Sequence, residues 1–502
     1  MGGTEIELKL LLDDAALRRV RRLPWLRRLT LDEPTVRSLR STYFDTPDGE
    51  LRRRGISLRV RTVGRRHMQG VKSAAVPGML SRREWEWPIE RPEPELAGLP
   101  ADLARHFRGI TERRLEPLFR TEIRRTTLRV RGDDWRADLA LDVGELVAAG
   151  NGARRPLREL EIELVDGPPA RVYELALRLA DSVPLRVGAA SKSDRGYALV
   201  GKEAPEPRKW RAPALDQRAS AADALRALAG ACVEQFLANA DCLLATGDPE
   251  AVHQMRVALR RLRSAISVFR GYVAPEGTAA VAAEVKWLLG ELGPARDTDV
   301  FLAEVLAPVV EGMPGQGALE RLTREFGALK ERRYDAARLA VESQRCTKLA
   351  LAIGAWIEDG WRVDDQLAAL PAGDFAAQVL ERRDRKMRKA GPHLAELGVE
   401  ERHRLRIRIK KLRYAGEFFA SLFPEGRARR FLAGLAVLQD RLGALNDLAV
   451  ASHMLEITDD TDPQRAWEAG IVAGWHASRA PRLLAEAGKA WKAFADLPRF
   501  WR

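Results

Sequence analysis

The first 200 residues alternate apolar and polar positions on a two-residue period. Alternation of this kind is typical of half-buried β-strands, and Gly, Pro and Asp turns separate the segments. Helical periodicity interrupts the strands at DDAALRRVRRLPWL and again around PPARVYELALRLADSV. We therefore expect a sheet domain that carries a few helices. The predicted strands include EIELKL, TYFDT, ISLRVRT, REWEWPI, LDVGELV and LRELEIELV.

From about residue 218 the hydrophobic period changes to 3.6, and Ala, Leu, Arg and Glu dominate. Segments such as AADALRALAGACVEQFLANADCLLA predict amphipathic helices, and Gly- and Pro-containing breaks separate them. The stretch GKEAPEPRKWRAPAL, between the two patterns, has the composition of a linker. The prediction is an α+β chain with a sheet domain at 1–202, a linker at 203–217 and an all-helical domain at 218–502.

A basic helical segment occurs twice in the second domain. HQMRVALRRLRS begins at His253 and HRLRIRIKKLRY begins at His403, which gives an offset of 403 − 253 = 150 residues. The similarity continues downstream, where Gly293 and Gly443 repeat the same offset. Duplication of one helical unit explains this agreement. We expect two four-helix repeats, at about 218–365 and 366–500.

Each copy places like charges on one helical face, because positions i, i+3, i+7 and i+10 align. Stacked cations repel each other, and a bound polyanion would remove the repulsion. A solvated helix face is the plainer explanation for one such stripe, but the duplicated register favours two stripes that line one groove. The candidate anion-binding residues are His253, Arg256, Arg260 and Arg263 in the first copy and His403, Arg406, Lys410 and Arg413 in the second.

Several predicted strands carry charges of both signs at alternate positions. Glu5, Glu7 and Lys9 lie on one face of the first strand, and Glu161 and Glu163 repeat the pattern later. Arg59 and Arg61 do the same with positive charge. A solvated sheet face is one explanation. Because several strands share the pattern and such a face cannot form a dry core, the lining of a polar barrel is the other, with apolar residues packed outside.

Composition narrows the possible partners and compartments. The formal charge is +13 and the pI about 9.9, which favours polyanionic partners. The basic stripes carry few aromatics and match no nucleic-acid module, so we do not expect sequence-specific nucleic-acid binding. The three cysteines lack disulfide or metal-site spacing, and we find neither a signal peptide nor a membrane-length apolar run. We expect a soluble cytoplasmic protein.

The region 218–500 resembles the CHAD family of helical domains with two four-helix repeats, since both basic copies are intact. The resemblance implies binding of inorganic polyphosphate and supports the assignment of the eight stripe residues. Metal binding by the histidines is not favoured, because one His per repeat supplies too few ligands.

Residues 3–202 resemble the CYTH family, the triphosphate tunnel metalloenzymes. The EXEXK motif is Glu5, Glu7 and Lys9, and YFDTPDGEL, LRVR, RREWEW, LALDVGEL, ELEIEL and SKSDRGYAL follow in order. The order of the two regions is similar to that of bacterial inorganic triphosphatases. The resemblance implies an eight-stranded antiparallel barrel whose lumen holds a triphosphate.

The same resemblance implies roles for individual residues. It implies Mg²⁺ or Mn²⁺ as the cofactor, because the ligands are hard oxygen atoms. The implied metal ligands are Glu5, Glu7, Glu161 and Glu163. The implied catalytic set is Glu5, Glu7, Lys9, Asp142, Glu161 and Glu163. The implied phosphate-binding residues are Lys9, Arg59, Arg61, Lys72, Arg82, Arg125, Lys192 and Arg195.

The expected activity is metal-dependent hydrolysis of inorganic triphosphate to pyrophosphate and orthophosphate, with polyphosphate bound by the helical domain. A location on polyphosphate granules would fit this combination. Two alternatives stay open at this point. One is a non-catalytic polyphosphate-binding scaffold, and the other is a class IV adenylate cyclase-like enzyme that makes cyclic AMP from ATP.

Overall fold

A computed structural model describes residues 3–73, 81–201, 204–314, 317–358, 369–394, 396–456 and 463–502. Within these ranges the side chains of residues 3–5, 81–82, 102, 446–456 and 463–465 lie outside the described part. Two predicted site residues, Glu5 and Arg82, are therefore placed by their backbone alone.

The sheet domain is a closed antiparallel barrel. Its strand order is β5-β4-β3-β2-β6-β7-β8-β1, and a further pairing of β5 with β1 closes the sheet. The predicted eight barrel strands are confirmed, and a ninth strand of two residues adds to β1. The strands are β1 (Gly3–Leu11), β2 (Thr35–Asp45), β3 (Ile56–Val63), β4 (Arg66–Ser73), β5 (Ser81–Ile89), β6 (Glu116–Arg131), β7 (Arg136–Ala148), β8 (Arg154–Asp166) and β9 (Arg186–Val187).

The barrel places its apolar residues on the outer face. Leu8, Leu58, Val60 and Ile162 are buried although they alternate with charged neighbours. Because successive strand residues point to opposite faces, the charged residues of the same strands point into the lumen. The outer face is covered by short helices and loops, including α1 (Asp14–Val20), α2 (Pro24–Leu29), α3 (Glu50–Arg53), α4 (Ala101–Ala104) and α5 (Ala170–Ser182). Helix α6 (Lys192–Gly201) instead lies at the lumen, where Lys192 and Tyr197 line the cavity.

The second half of the chain is helical, as predicted. A π-helical turn, Phe301–Leu306, directly follows the third of its helices. The helices are α7 (Ala221–Thr246), α8 (Pro249–Val268), α9 (Pro275–Val300), α10 (Ala307–Gly312), α11 (Gly317–Glu342), α12 (Gln344–Glu358), α13 (Ala372–Arg388), α14 (Val399–Phe419), α15 (Glu425–Glu456), α16 (Pro463–Ala477) and α17 (Ala480–Ala495).

Helix bounds reproduce the internal repeat. Helix α14 starts 399 − 249 = 150 residues after α8, and α15 starts 425 − 275 = 150 residues after α9. The two basic helices meet at one acidic residue: Glu417 of α14 accepts from Arg261 of α8 at 2.5 Å and from Arg413 of its own helix at 2.7 Å.

Two compact units divide the chain, and their limits are not those of the predicted linker. The first unit comprises Met1–Lys209, Val233–Ala251 and Val341–Trp361. The second comprises Trp210–Cys232, Val252–Ala340 and Arg362–Arg502. Part of α7 and all of α12 therefore belong to the unit that contains the barrel.

One helix in the described part of the chain, α7, is long and apolar enough to cross a membrane. This differs from the expectation that no segment would reach that length and composition. Its most apolar window is 67% buried inside the protein, which is typical of a core helix.

Candidate functional site: a charged tunnel

The lumen of the barrel is a cavity of about 700 Å³. Each of the eight barrel strands contributes at least one lining side chain, among them Glu7, Arg59, Lys72 and Glu161. The period-two pattern explains this, because every barrel strand turns alternate residues inward. The lumen is polar and charged, so it can hold a strongly charged ligand.

Two neighbouring arginines of β3 line the lumen, where Arg59 pairs with Glu84 and Glu86 and Arg61 pairs with Glu86. Burial alone would lower the pKa of Arg59, but nearby Tyr43, Glu84 and Glu86 raise it. The neighbouring charge of Arg59, followed by burial, lowers the pKa of Arg61. The Nε–H groups of both arginines are buried and find no hydrogen-bond acceptor among the described residues. An anion in the lumen would satisfy these donors and relieve the repulsion.

Lys192 is the centre of a buried charge network. Its Nζ lies 2.9 Å from Asp142 and 2.6 Å from Glu161, and it also pairs with Glu159. Arg125 donates two hydrogen bonds of 2.7 Å to Asp142 and one of 2.6 Å to Glu161. Burial alone would lower the pKa of Lys192, but the three carboxylates raise it.

The same network determines the pKa of Glu161. Burial alone would raise its pKa, but Lys192, Arg125 and Lys9 hold the pKa well below its usual value. Glu161 is therefore ionised at neutral pH, and its two nearest cations fix its orientation.

A second group of carboxylates is paired less closely: the nearest cations of Glu7 are Lys9 at 3.8 Å and Lys72 at 3.7 Å. Glu7 and Glu163 are cross-strand partners on β1 and β8, and Asp138 is the partner of Glu163 on β7. Burial, followed by the charges of Glu7 and Asp138, raises the pKa of Glu163. Burial also raises the pKa of Asp138. Glu163 is still accessible to solvent, so a cation could reach it from the lumen.

The two acidic groups differ in their suitability for a divalent metal. Oxygen atoms of Asp142, Glu159 and Glu161 lie within 4.8 Å of one another, but the ammonium group of Lys192 is already bound at their centre. Glu7 and Glu163 repel each other, and an added cation would stabilise the ionised pair. Hard carboxylate donors suit Mg²⁺ or Mn²⁺. Of the described ligands, Glu7 and Glu163 fit the implied metal best.

Nine of the predicted tunnel residues line the cavity. Asp142 and Arg195 do not line it: Asp142 is fully buried behind Arg125, and Arg195 pairs with Glu159. The side chains of Glu5 and Arg82 lie outside the described part. The nine lining residues are Glu7, Lys9, Arg59, Arg61, Lys72, Arg125, Glu161, Glu163 and Lys192.

The candidate set left out several charged residues of the tunnel, although the face shared by Arg82, Glu84 and Glu86 was already evident from the sequence. Glu159 precedes Glu161 by two positions, and Glu84 and Glu86 lie inside the quoted stretch RREWEW. Asp138 lies four residues before Asp142 on the same face of β7. Their period-two spacing from known candidates was the signal that could have identified them.

The helical candidates fall into buried and exposed groups. Arg256 is buried, donates to the Leu289 carbonyl at 3.0 Å and lies 3.6 Å from Asp297. Burial, together with the charge of Arg260, lowers the pKa of Arg256 to about 10. Of the remaining stripe residues, three are exposed: Arg260, Arg263 and His403. The other four are half-buried: His253, Arg406, Lys410 and Arg413.

The repeated glycines lie opposite the repeated arginines. A Cβ atom at Gly293 would lie 3.1 Å from Nη1 of Arg256, and one at Gly443 would lie 3.8 Å from Nη2 of Arg406. The duplication thus preserves an arginine of one helix facing a glycine of the next.

Comparisons with known proteins agree with both halves of the architecture. A model of the CYTH domain matches residues 3–197, and a model of the CHAD domain matches residues 227–456. An uncharacterized protein of Mycobacterium tuberculosis is 30% identical over 421 residues, which covers 76% of each chain. The inorganic triphosphatase of Haemophilus influenzae is 29% identical over 202 residues, 40% of this chain and 56% of that protein.

The helical half is also similar to a solved structure. The CHAD domain of the plant Ricinus communis aligns with a TM-score of 0.52 and 31% identity, over 59% of this chain and 98% of that chain. The chain combines a closed antiparallel barrel, which has a charged lumen, with a helical domain that contains a duplicated basic helix. This combination defines a two-domain protein of the tunnel class. The chain belongs to the proteins that join a CYTH domain to a CHAD domain.

Proposed function

We propose that the tunnel hydrolyses inorganic triphosphate with the help of Mg²⁺ or Mn²⁺. The observation that carries the proposal is the pair Arg59 and Arg61, whose buried Nε–H groups lack acceptors among the described residues of a lumen shared with carboxylates. The CYTH family includes triphosphatases and cyclases, and the Haemophilus influenzae relative is named an inorganic triphosphatase. A phosphate chain supplies oxygen acceptors to both arginines at once.

In this proposal the cations bind and orient the phosphate chain. Lys9, Arg59, Arg61 and Lys72 donate to phosphate oxygens, which offsets the cost of burying a polyanion and stabilises charge on the transferred phosphoryl group. Arg125 supports this set and, with Lys192, holds Glu161. Water adds to the terminal phosphorus, the P–O–P bond breaks, and orthophosphate, pyrophosphate and a proton are released.

Glu7, Glu161 and Glu163, with Glu5, are the residues proposed to hold the divalent metal. When bound, such a metal acts as a Lewis acid toward phosphate oxygens. Arg125 and Lys192 keep Glu161 ionised and oriented toward the lumen, so the carboxylate does not have to reorganise when the site is loaded. No side chain has to form a covalent intermediate.

Product analysis tests the proposal. The purified full chain is incubated with Mg²⁺ or Mn²⁺ and with tripolyphosphate or ATP, and orthophosphate and cyclic AMP are measured. We expect metal-dependent orthophosphate release from tripolyphosphate that is lost in Glu161→Ala. Cyclic AMP from ATP would instead identify a cyclase-like enzyme. Absence of turnover with retained polyphosphate binding would favour a scaffold.

The helical domain is proposed to bind inorganic polyphosphate through its two basic stripes. The exposed residues Arg260 and Arg263 support this, because like charges on one helical face repel each other and gain from a polyanion. In calorimetric titrations with long-chain polyphosphate, the double variant Arg260→Ala/Arg263→Ala should bind at least tenfold more weakly. Arg427→Ala/Arg430→Ala, which removes two exposed arginines with the same spacing on α15, should bind as the wild type does. Equal weakening of both variants would indicate a general charge effect.

A further inference from the structure

The mouth of the tunnel is partly built by residues that lie outside the barrel. Arg208, in the segment before α7, and Leu237 and Ala238, on α7 itself, line the same cavity as the barrel residues. All three belong to the first compact unit. The entrance of the lumen therefore has a wall that the barrel strands do not supply.

A buried amide fixes Arg208 to this wall. The backbone N–H of Arg208 donates to Oδ1 of Asn239 at 3.0 Å, and Nδ2 of Asn239 donates to the Arg208 carbonyl at 2.9 Å. Asn239 is fully buried. Because a buried amide loses free energy when its hydrogen bonds are broken, this two-way contact holds the Arg208 backbone at the mouth.

The same helix also holds the loop that leads to Lys192. The carboxylate of Asp241 accepts hydrogen bonds from the backbone N–H groups of Ala189 and Ala190 and lies 3.7 Å from Arg186. Gly188, Ala189 and Ser191 line the cavity. Both sides of this part of the mouth are thus tied to α7, so its geometry is preorganised.

Arg208 is exposed and lines the cavity together with Glu234 of α7. Among the described residues the Arg208 side chain forms no ion pair or hydrogen bond, so it can turn toward a ligand. The lumen cations Lys9, Arg59 and Arg61 all come from barrel strands. A phosphate chain whose terminal groups are bound by these lumen cations would place its next phosphate at the mouth, near Arg208.

We propose that Arg208 is a specificity-determining residue that binds the phosphate following the three held inside the barrel. The inference rests on the proposed function, and it names unsubstituted polyphosphates of four or more units as preferred substrates.

The test compares substrate lengths in Arg208→Ala. The value of kcat/KM for tetrapolyphosphate should fall roughly tenfold, the usual effect of losing one charge-assisted hydrogen bond, while that for tripolyphosphate should change less than twofold. Lys209→Ala is the matched control, since Lys209 is an exposed neighbour of the same charge that does not line the cavity. It should leave both values unchanged, and Arg208→Lys should keep part of the preference.

Calorimetric binding of tetrapolyphosphate, measured without turnover in the presence of Ca²⁺, provides a second readout. Roughly tenfold weaker binding to Arg208→Ala alone would support the inference. Equal losses for the two chain lengths, or no loss in either readout, would overturn it. Wild-type protein that binds tetrapolyphosphate through Arg208 but does not hydrolyse tripolyphosphate would refute the proposed function and leave the mouth site in place.

Discussion

At the scale of single residues, the tunnel contains one group of carboxylates in close contact with cations and one group with looser pairing. Asp142, Glu159 and Glu161 surround Lys192, whereas Glu163 and Asp138 are cross-strand neighbours and Glu7 lies 3.7–3.8 Å from Lys72 and Lys9. The first group is fixed by its hydrogen bonds and ion pairs, and the second is the one that we propose to bind the divalent cation. Both come from the same period-two pattern, so sequence alone does not distinguish them.

Lys192→Met should destabilise the protein at pH 7 by roughly 3–5 kcal/mol, because it leaves buried carboxylates without a partner. In the wild type the pKa of Glu161 is lowered from 4.5. Its stabilising contribution is therefore complete above pH 4.5 and is lost as the pH falls toward the lower folded-state pKa. In the variant the carboxylates should protonate more readily, so stability should recover in part at pH 5. Urea denaturation at pH 5 and 7 measures this.

Lys209→Met is the control, because Lys209 is exposed and takes part in no described ion pair. If Lys192→Met unfolds at the same urea concentration as Lys209→Met at pH 7, the carboxylates around Lys192 do not need its charge, and the network described above is wrong.

Glu163→Gln should weaken the binding of Mg²⁺ or Mn²⁺ at least tenfold, because it removes one of two repelling carboxylates. Because the pKa of wild-type Glu163 is raised above its ordinary value of 4.5, protons compete with the metal, and metal affinity should fall as the pH is lowered toward that pKa. Glu145→Gln, on the described part of β7 but outside the cavity lining, should behave as the wild type. Unchanged metal affinity in Glu163→Gln would remove Glu163 from the site.

At the scale of elements, the sequence predicted most strands and long helices. It did not single out β4 or β6. In β6 the segment EIRRTTLRVR places arginines on both faces, which hides the alternation. The π-helical turn after α9 also has no sequence period of its own. The helix starts at Pro249 and Pro275 were predictable, because proline is favoured in the first turn.

The repeated glycines provide a matched pair of substitutions at this scale. Gly443→Ala should stabilise the protein by about 1 kcal/mol through helix propensity, because its Cβ meets Arg406 at an ordinary 3.8 Å. Gly293→Ala should gain less or destabilise, because its Cβ lies 3.1 Å from Arg256 and would displace the guanidinium from the Leu289 carbonyl. The change in stability of each variant is measured by thermal unfolding. Equal stabilisation would show that Arg256 moves at no cost.

At the scale of the whole molecule, the linker and the compact units do not coincide. A Cβ at Gly354 of α12 would overlap the ring of Tyr173 on α5, so this part of the helical half packs tightly within the barrel unit. The period change near residue 218 marks a change of secondary structure. It does not show which later helices return to the barrel, because such contacts depend on residues far apart in the chain.

Truncation after residue 217 should therefore destabilise the barrel. It removes α12 and exposes the face of α5 that packs against it, including the buried side chain of Tyr173. It also removes Asn239 and Asp241 from the tunnel mouth. We expect a melting temperature lower than that of the full chain by several degrees and increased binding of a hydrophobic dye. A truncated chain with the same melting temperature as the full chain would contradict this packing.

The central claim is that the lumen arginines bind and activate a phosphate chain. The most direct test is the rate of Mg²⁺-dependent orthophosphate release from tripolyphosphate by the full chain, its Arg61→Ala variant and its Arg66→Ala variant. Arg66 is exposed at the start of β4 and does not line the cavity. We predict that kcat/KM falls at least 100-fold in Arg61→Ala and is unchanged in Arg66→Ala. Equal rates in all three proteins, or no release by the wild type, would contradict the account.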